Sequence, residues 1–417
     1  MITVGLDFGT HQTKVCIENK IGTETHYKFH RFKDLDGVMR YTLPSIICIT
    51  PDNKLKYGYI DAKEPGSFKR YFKQAVFRNT DSPNMKLWEA ARYSIWYLAY
   101  ILFDLEKEYG LFTIQMGAPT DSSHIDDRKA IAVTILASAY NLVEKVFRND
   151  KDAFLNMKFN ELVECTEIIR YSDKVKKVCG VLVFPESYAC LMPLIGRGKI
   201  AHGMNLIIDI GGGTTDISFF TIEETVKKSK IYHPQLYEFY SINKGLNYLT
   251  CQDDASEALL YKDVHIFKDV EINKDRSKLY FKEIDNICIN LKDRLKAEWA
   301  IQTIHHKQKL LDKLKNRPVI YTGGGSTLGM LRKAYEGFQE IHLISYDSWK
   351  SKQFDDESLF SILSLCPILS TAYGLSISVV SDNIEKLPLR EIFRNRRGDE
   401  RDEDNGFDYG VDWDAWK

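Results

Sequence analysis

The sequence predicts an α/β protein of two lobes, each a mixed β-sheet flanked by helices. The first observation behind this is a repeated local pattern. Gly5-Leu6-Asp7-Phe8-Gly9-Thr10 stands near the start, and Ile208-Asp209-Ile210-Gly211-Gly212-Gly213-Thr214-Thr215-Asp216 follows roughly 200 residues later. Each is an apolar strand ending in Asp, then glycine and a hydroxyl residue, then a second strand. Such a strand–turn–strand presents consecutive backbone N–H groups with no Cβ in the way, which makes a nest for an anion. The second observation is the alternation of strand-like and helix-like segments along 417 residues, a length that suits two domains or one bilobed unit.

The elements follow in order. Residues 2–50 read as strands at Ile2–Leu6, Lys14–Glu18, Tyr27–Phe32 and, after Pro44, Ser45–Thr50, with a turn at Asp36-Gly37. A helix is predicted over 86–109, where Trp88, Ala91, Ile95, Leu98, Leu102 and Leu105 recur at helical spacing as a buried stripe. A short strand, Phe112–Met116, closes at Gly117-Ala118-Pro119. The next helix spans 125–147, with Asp126 and Asp127 in its first turn, where acids suit the helix dipole. Residues 148–178 are charged and lack a period, which predicts a surface insertion.

Strand Gly180–Phe184 then ends at Pro185-Glu186-Ser187, and an apolar run to Ile195 leads through Gly196-Arg197-Gly198 into the second lobe. That lobe opens with strands Leu206–Ile210 and Asp216–Ile222 around the glycine turn. A polar, Lys-rich stretch from 223 to 316 carries one helix, Tyr280–Ile304. Strand Val319–Thr322 meets Gly323-Gly324-Gly325-Ser326, which opens a helix at Leu328–Tyr335. A last hydrophobic helix, near 357–372, ends around Ala372-Tyr373-Gly374 and packs back at the hinge. The expected division is 1–195, 196–383 and a charged tail, 384–417.

Composition narrows the function. A hydrophobic content of 44% with 28% charged residues is ordinary for a globular protein. A formal charge of −1 gives no electrostatic reason to expect nucleic acid or an anionic membrane as partner. No stretch approaches the roughly 18–20 apolar residues of a membrane span. The first strand begins at Ile2, so no signal peptide is expected and a cytoplasmic location follows. Eight cysteines without a C-x-x-C pair fit reduced thiols better than a disulfide framework or zinc site, and Cys16, Cys48 and Cys190 sit in apolar runs as core residues. The tail runs from a basic cluster at 394–397 to an acidic end carrying Trp413 and Trp416. It reads as disordered, with aromatic anchors that suit docking on a protein partner.

The paired turns set the chemistry. A bound triphosphate needs aimed N–H donors, a divalent metal and acids that hold the metal's waters. Asp7 and Asp209 end their strands beside the turns and are placed for Mg²⁺, while Thr10 and Thr214 or Thr215 offer hydroxyls. Each hydrogen bond to a charged oxygen contributes roughly 1.5–3 kcal/mol. Glu186, on a strand end between the turns, is a candidate to orient an attacking water. The run Gly323–Ser326 leaves bare backbone for a flat ring or ribose. Neither a Walker A pattern nor G-x-G-x-x-G occurs, which argues against P-loop and dinucleotide folds.

The joint order D-x-G-T, P-E-S, D-x-G-G-G-T-T-D, G-G-G-S-T and A-Y-G resembles the actin, hexokinase and DnaK-type chaperone ATPases over about residues 1–380. Arg40-Tyr41-Thr42-Leu43-Pro44-Ser45 with Tyr57-Gly58 and Ala62, and Ala118-Pro119 with Asp126, Asp127 and Arg128, are similar to stretches of the DnaK-type nucleotide-binding domain. So are Lys69-Arg70 and, loosely, Asp293-Arg294-Leu295-Lys296. The resemblance implies an actin-like fold with ATP or ADP and Mg²⁺ in the cleft between lobes. It implies Asp7, Asp209 and Asp216 around the metal, and Gly9, Thr10, Gly211, Gly212, Gly213, Thr214 and Thr215 on phosphate. Glu186, Lys69 and Asp209 would serve hydrolysis; Gly323, Gly324, Gly325, Ser326, Asp293 and Lys296 would hold the nucleoside.

The chain departs from that pattern in two places: residues 148–178 interrupt the segment before Pro185, and no β-rich peptide-binding domain follows. The expectation is therefore a stand-alone chaperone-type ATPase, slow and stimulated by a protein partner that reads its lobe angle. The alternatives are an actin-like ATPase that assembles into filaments and a scaffold that binds ATP without hydrolysing it.

Overall fold

The computed structural model describes residues 1–78, 85–119, 123–169, 180–194, 204–224, 232–250, 271–302, 317–335, 337–344, 354, 365–379, 387 and 389. The tail 384–417, apart from Leu387 and Leu389, lies outside these residues, as do 170–179, the Gly196-Arg197-Gly198 linker and 355–364.

A first sheet starts with β1 (Ile2–Asp7), β2 (Gln12–Ile21) and β3 (Glu24–Phe29), each antiparallel to the next. β1 is buried from Thr3 to Asp7, which is why it reads as a continuous apolar run rather than an alternating one. Short strands follow. β4 (Phe32–Lys33) pairs with β5 (Met39–Arg40), and β6 (Leu43–Pro44) pairs with β2. β7 (Ile47–Ile49) lies between β8 (Leu55–Tyr57) and β9 (Ser67–Lys69).

Next come α1 (Phe72–Arg78) and α2 (Leu87–Tyr109). The start of α2 is set by Glu89, whose Oε2 accepts the Lys86 N–H at 2.9 Å, and it stops at Gly110, where φ is +68°. Ile95, Leu98, Leu102 and Leu105 are fully buried, but Trp88 is 54% exposed and carries the Arg92 guanidinium over its ring. The predicted stripe thus begins one turn later, because the first turn of α2 overhangs solvent.

β10 (Thr113–Ala118) adds parallel to β1, and α3 (Ile125–Asn141) runs on through a π-turn at Leu142–Val146. The described part of the 148–178 stretch, residues 148–169, is not simply an irregular surface insertion. Asp150 caps α4 (Lys151–Asn156) by accepting the Ala153 N–H at 2.9 Å, and α5 (Phe159–Cys165) follows. Phe154 and Leu162 insert into the core of the first sheet, and that burial offsets the ordering of a charged segment. β11 (Val181–Pro185) pairs parallel with β10, and α6 (Glu186–Ala189) begins at its end.

The second sheet contains β12 (Asn205–Ile210), β13 (Thr215–Glu224) and β14 (Tyr232–Ile242) in antiparallel succession. β14 is absent from the sequence-based expectation, which took 223–316 as polar apart from one helix. Its charged Glu238 is 4% exposed and held by Arg294 at 2.7 Å. α7 (Leu246–Leu249) and α8 (Lys274–Gln302) follow. α8 buries Tyr280, Ile284, Cys288, Leu291 and Leu295 in the core of the second sheet. β15 (Arg317–Thr322) and β16 (Phe338–Leu343) complete the sheet in parallel pairings. The helix expected at Leu328–Tyr335 is instead short 3₁₀ turns at Gly324–Thr327 and Gly329–Leu331, leading to β16. The last helix, α9, spans Cys366–Ser376, with Pro at its start.

The two sheets share one topology. The first runs β3-β2-β1-β10-β11 and the second β14-β13-β12-β15-β16. In each, the central strand is antiparallel to its hairpin partner and parallel to the strand on its other side. Asp7 and Asp209 hold corresponding positions, paired across their hairpins with Lys14 and Asp216. α6, which follows the first sheet, packs on β12, β13 and β14, while α9, which follows the second, packs on β1, β2 and β10. The two helices also pack on each other. Cys16, Cys48 and Cys190 are fully buried and unbridged. No helix among the described residues is long and apolar enough to cross a membrane.

Candidate functional site

The two glycine turns open into one cavity of about 70 Å³. From the first hairpin it is lined by Asp7, Gly9, Thr10, His11, Gln12 and Lys14, and from the second by Asp209, Gly211, Gly212 and Thr214. Lys73, Glu186, Leu246, Gly323, Gly324, Ile368 and Thr371 complete the wall. Asp7 and Asp209 thus face a shared space.

Each turn is braced from behind. In the first, Ser45 Oγ donates to the Gly9 carbonyl at 2.7 Å, and the Ser45 N–H donates to His11 O at 2.8 Å. Phe8 is fully buried between Phe72 and Tyr97, with ring centroids 6.1 and 5.9 Å away. In the second, Gly211 N–H donates to Thr214 O at 2.9 Å, and the Leu246 and Asn247 amides cap the carbonyls of Gly211 and Gly212 at 3.0 Å each. The N-terminus of α7 therefore holds this turn in shape. Gly323 sits at φ +82°, and a Cβ there would overlap Asp209 Oδ1. Only glycine lets β15 end so close to that carboxylate.

Charge is concentrated here. Lys14 Nζ meets Asp7 Oδ2 at 2.6 Å, and Lys73 Nζ meets Glu186 Oε1 at 2.6 Å. Burial pulls the Lys73 ammonium down, but the charges of Glu186 and Asp7 outweigh it and hold the group protonated. Burial raises Glu186, a shift Lys73 opposes and Asp7 reinforces. Asp209 is pushed well up by burial, then by the charges of Asp216, Glu186 and Asp7. Asp216 rises to about 7 through burial and Glu186, against hydrogen bonds from Ser241 and Thr214. Thr214 Oγ1 donates to Asp216 Oδ2 at 3.1 Å, and Thr371 Oγ1 on α9 reaches Asp209 Oδ2 at 3.5 Å. Buried acids that raise one another's pKa favour a cation among them.

Several sequence-predicted residues lie elsewhere. Lys69 is on β9, paired with Ile47, with its ammonium 6.0 Å from the Tyr93 ring centroid. The chain turns at Tyr71 (φ +61°), so Lys73 on α1, not Lys69, enters the cavity. Asp293 is 64% exposed and pairs with Lys296 on α8 at 3.5 Å, so neither lines the wall. Thr215 is inside the sheet, its hydroxyl bonded to Lys244 O at 2.7 Å and near Tyr280 OH at 3.2 Å. Ser326 bonds its own turn at Gly323 O, and Gly325 packs on Ile210. Gly213 gives its carbonyl to Gln74 Nε2 at 3.0 Å. Asp216 stands behind Thr214 rather than on the wall. Among the described residues no three His, Cys, Asp or Glu side chains are grouped to hold a metal directly.

His11, Lys14, Lys73 and Thr371 were not anticipated. Lys14 had a usable signal, because it falls opposite Asp7 in a hairpin whose turn is set by Gly9. Lys73 had a weaker one, the apolar Phe72, Ala75, Val76 and Phe77 around it on a short helix. Comparison with known proteins finds no family model that matches the chain and no curated protein that matches its sequence.

Proposed function

We propose that the chain is a Mg²⁺-dependent ATP-binding protein that hydrolyses ATP, built on the actin-like plan of two related lobes. The observation that carries this reading is the convergence of two Asp-and-glycine hairpins, at equivalent places in two sheets of equal topology, on one cavity lined by the paired lysines Lys14 and Lys73. Backbone amides of the two turns, with Lys14 and Lys73 beside them, suit phosphate oxygens. The donor set also fits a hydrated magnesium ion: Asp7 and Asp209 both line the cavity as carboxylates that can hold a metal's waters, and Mg²⁺ usually keeps several of them. The ion, when bound, would offset phosphate charge.

Within this reading Lys73 fixes the Glu186 carboxylate by the 2.6 Å contact, so that the free oxygen orients a water. Asp216 holds the Thr214 hydroxyl, and Gly323 and Gly324 leave backbone open for the nucleoside. The crossed helices α6 and α9 join both sheets, so a change in lobe angle is the natural output, and a protein partner its reader. Calorimetric titration with Mg-ATP and a phosphate-release assay test this. Asp209→Ala should abolish binding, whereas Glu186→Gln should bind and turn over at least tenfold more slowly. Absence of binding to the intact chain, with the protein folded, would sink the proposal.

A further inference from the structure

His11 has no part in the chemistry above, yet its ring stands between the two turns. It is 5% exposed. A methyl group on Gly212 would overlap its Nδ1, so the second turn's backbone lies directly against the imidazole. On the other side, the ring meets Tyr71 edge-on with centroids 5.8 Å apart. Tyr71 adopts φ +61°, a left-handed conformation that is unfavourable for a bulky residue. The His11 backbone is pinned by the Ser45 amide, so displacement of the ring must come from side-chain rotation.

We infer that His11 is a gate on the phosphate clamp: its ring covers the Gly212 side of the second turn, and anionic ligand reaches those amides only when the ring swings aside. His11 is itself part of the cavity wall beside Gly211 and Gly212, so an anion at the second turn must share that space with the imidazole. Burial, with the charges of Lys14 and Arg70, lowers the His11 pKa to about 3, so the ring is neutral at physiological pH and gives the cover no charge. The left-handed Tyr71 turn carries the ring that meets His11, and Gln74, three residues on, donates to Gly213 O, so both contacts tie this segment to the neighbourhood of the second turn.

Resting as it does on the Mg-nucleotide reading of this site, the gate is tested by stopped-flow binding of N-methylanthraniloyl-ADP with Mg²⁺. His11→Ala should raise the association rate at least tenfold, and His11→Phe, which keeps a ring of similar reach, should keep it slow. Equal rates for wild type and His11→Ala would overturn the gate and leave the nucleotide reading intact. No binding by either would overturn the nucleotide reading itself. A ligand-free control uses melting temperature: Gly212→Ala should destabilise the wild type but cost much less in the His11→Ala background. An equal cost in both would show that the ring does not cover Gly212 and would also overturn the gate.

Discussion

Lys73 and Glu186 form an ion pair of 2.6 Å inside the protein, with side chains only 5% and 9% exposed. The pair ties α1 to the point where β11 becomes α6, and both partners face Asp7. Removing one member of a buried pair leaves the other uncompensated and typically costs about 3–5 kcal/mol. Lys73→Met should therefore lower stability by about that amount in denaturant titration. Adding Glu186→Gln should recover about 1–2 kcal/mol, because the stranded carboxylate is then neutral. A cost below about 1 kcal/mol for the single change would show that the pair is not formed.

Lys69 is the contrasting case. Its ammonium lies over Tyr93 at the edge of a small sheet and touches nothing in the cavity. Lys69→Ala should change stability by less than about 1 kcal/mol, the worth of an exposed cation–π contact, and leave nucleotide affinity within about twofold. A loss of turnover comparable to that of the Lys73 variant would return the catalytic cation to position 69.

Asp216 makes stability depend on pH. Its pKa rises from 3.8 to about 7 on folding, so between these values the folded chain holds a proton that the unfolded chain has released. The stabilising effect of that proton is complete below pH 3.8 and is lost as pH rises through about 7. Asp216→Asn should thus gain stability relative to wild type across that window, by on the order of 4 kcal/mol at pH 8. Melting curves of both proteins from pH 4 to 8 give the difference directly. His11 acts in the opposite sense, losing stability as pH falls from 6.5 toward 3, but it is common to both proteins and drops out. A flat difference curve would mean that Asp216 titrates normally.

The central strands and their glycine turns were legible because local chemistry dictates them. Apolar runs such as Leu206–Ile210 can only be buried, and an Asp followed by glycines can only be a turn. From those turns, the Pro185-Glu186 strand end and the glycine run at 323, ten of the wall positions around the cavity could be named, including Asp7, Glu186 and Asp209. What was not legible depends on distant partners. β14 contains Glu238, which reads as exposed until Arg294 arrives from α8. α4 and α5 look like a charged loop until Phe154 and Leu162 find the first core. The lysine that lines the cavity is Lys73, four residues beyond Lys69, because the chain reverses at Tyr71 between them, and nothing in the residue pattern announces a positive φ at tyrosine.

Gln115 provides the last test, on the linkage between the sheets. It stands on β10, 2% exposed, and its Nε2 donates to the carbonyls of Leu375 at 2.5 Å and Ile377 at 2.8 Å. Its Oε1 accepts the Val379 N–H at 3.3 Å. The first sheet therefore holds the C-terminal end of α9, while Thr322 of the second holds its start through Pro367 O at 2.9 Å and Ser370 Oγ at 2.6 Å. Between these anchors Thr371 touches Asp209, so any change at that acid is passed to a helix fastened to both sheets. Gln115→Ala removes three hydrogen bonds and leaves two carbonyls unpaired, a loss of about 2–4 kcal/mol. Amides 377–379 should exchange with solvent at least tenfold faster than in the wild type, while the Lys73–Glu186 pair, held by other elements, stays intact. Gln115→Glu should be worse at pH 8 than at pH 5, because only the protonated acid can donate to a carbonyl. If exchange at 377–379 is unchanged in the alanine variant, α9 is not clamped at this end and does not link the site to the first sheet.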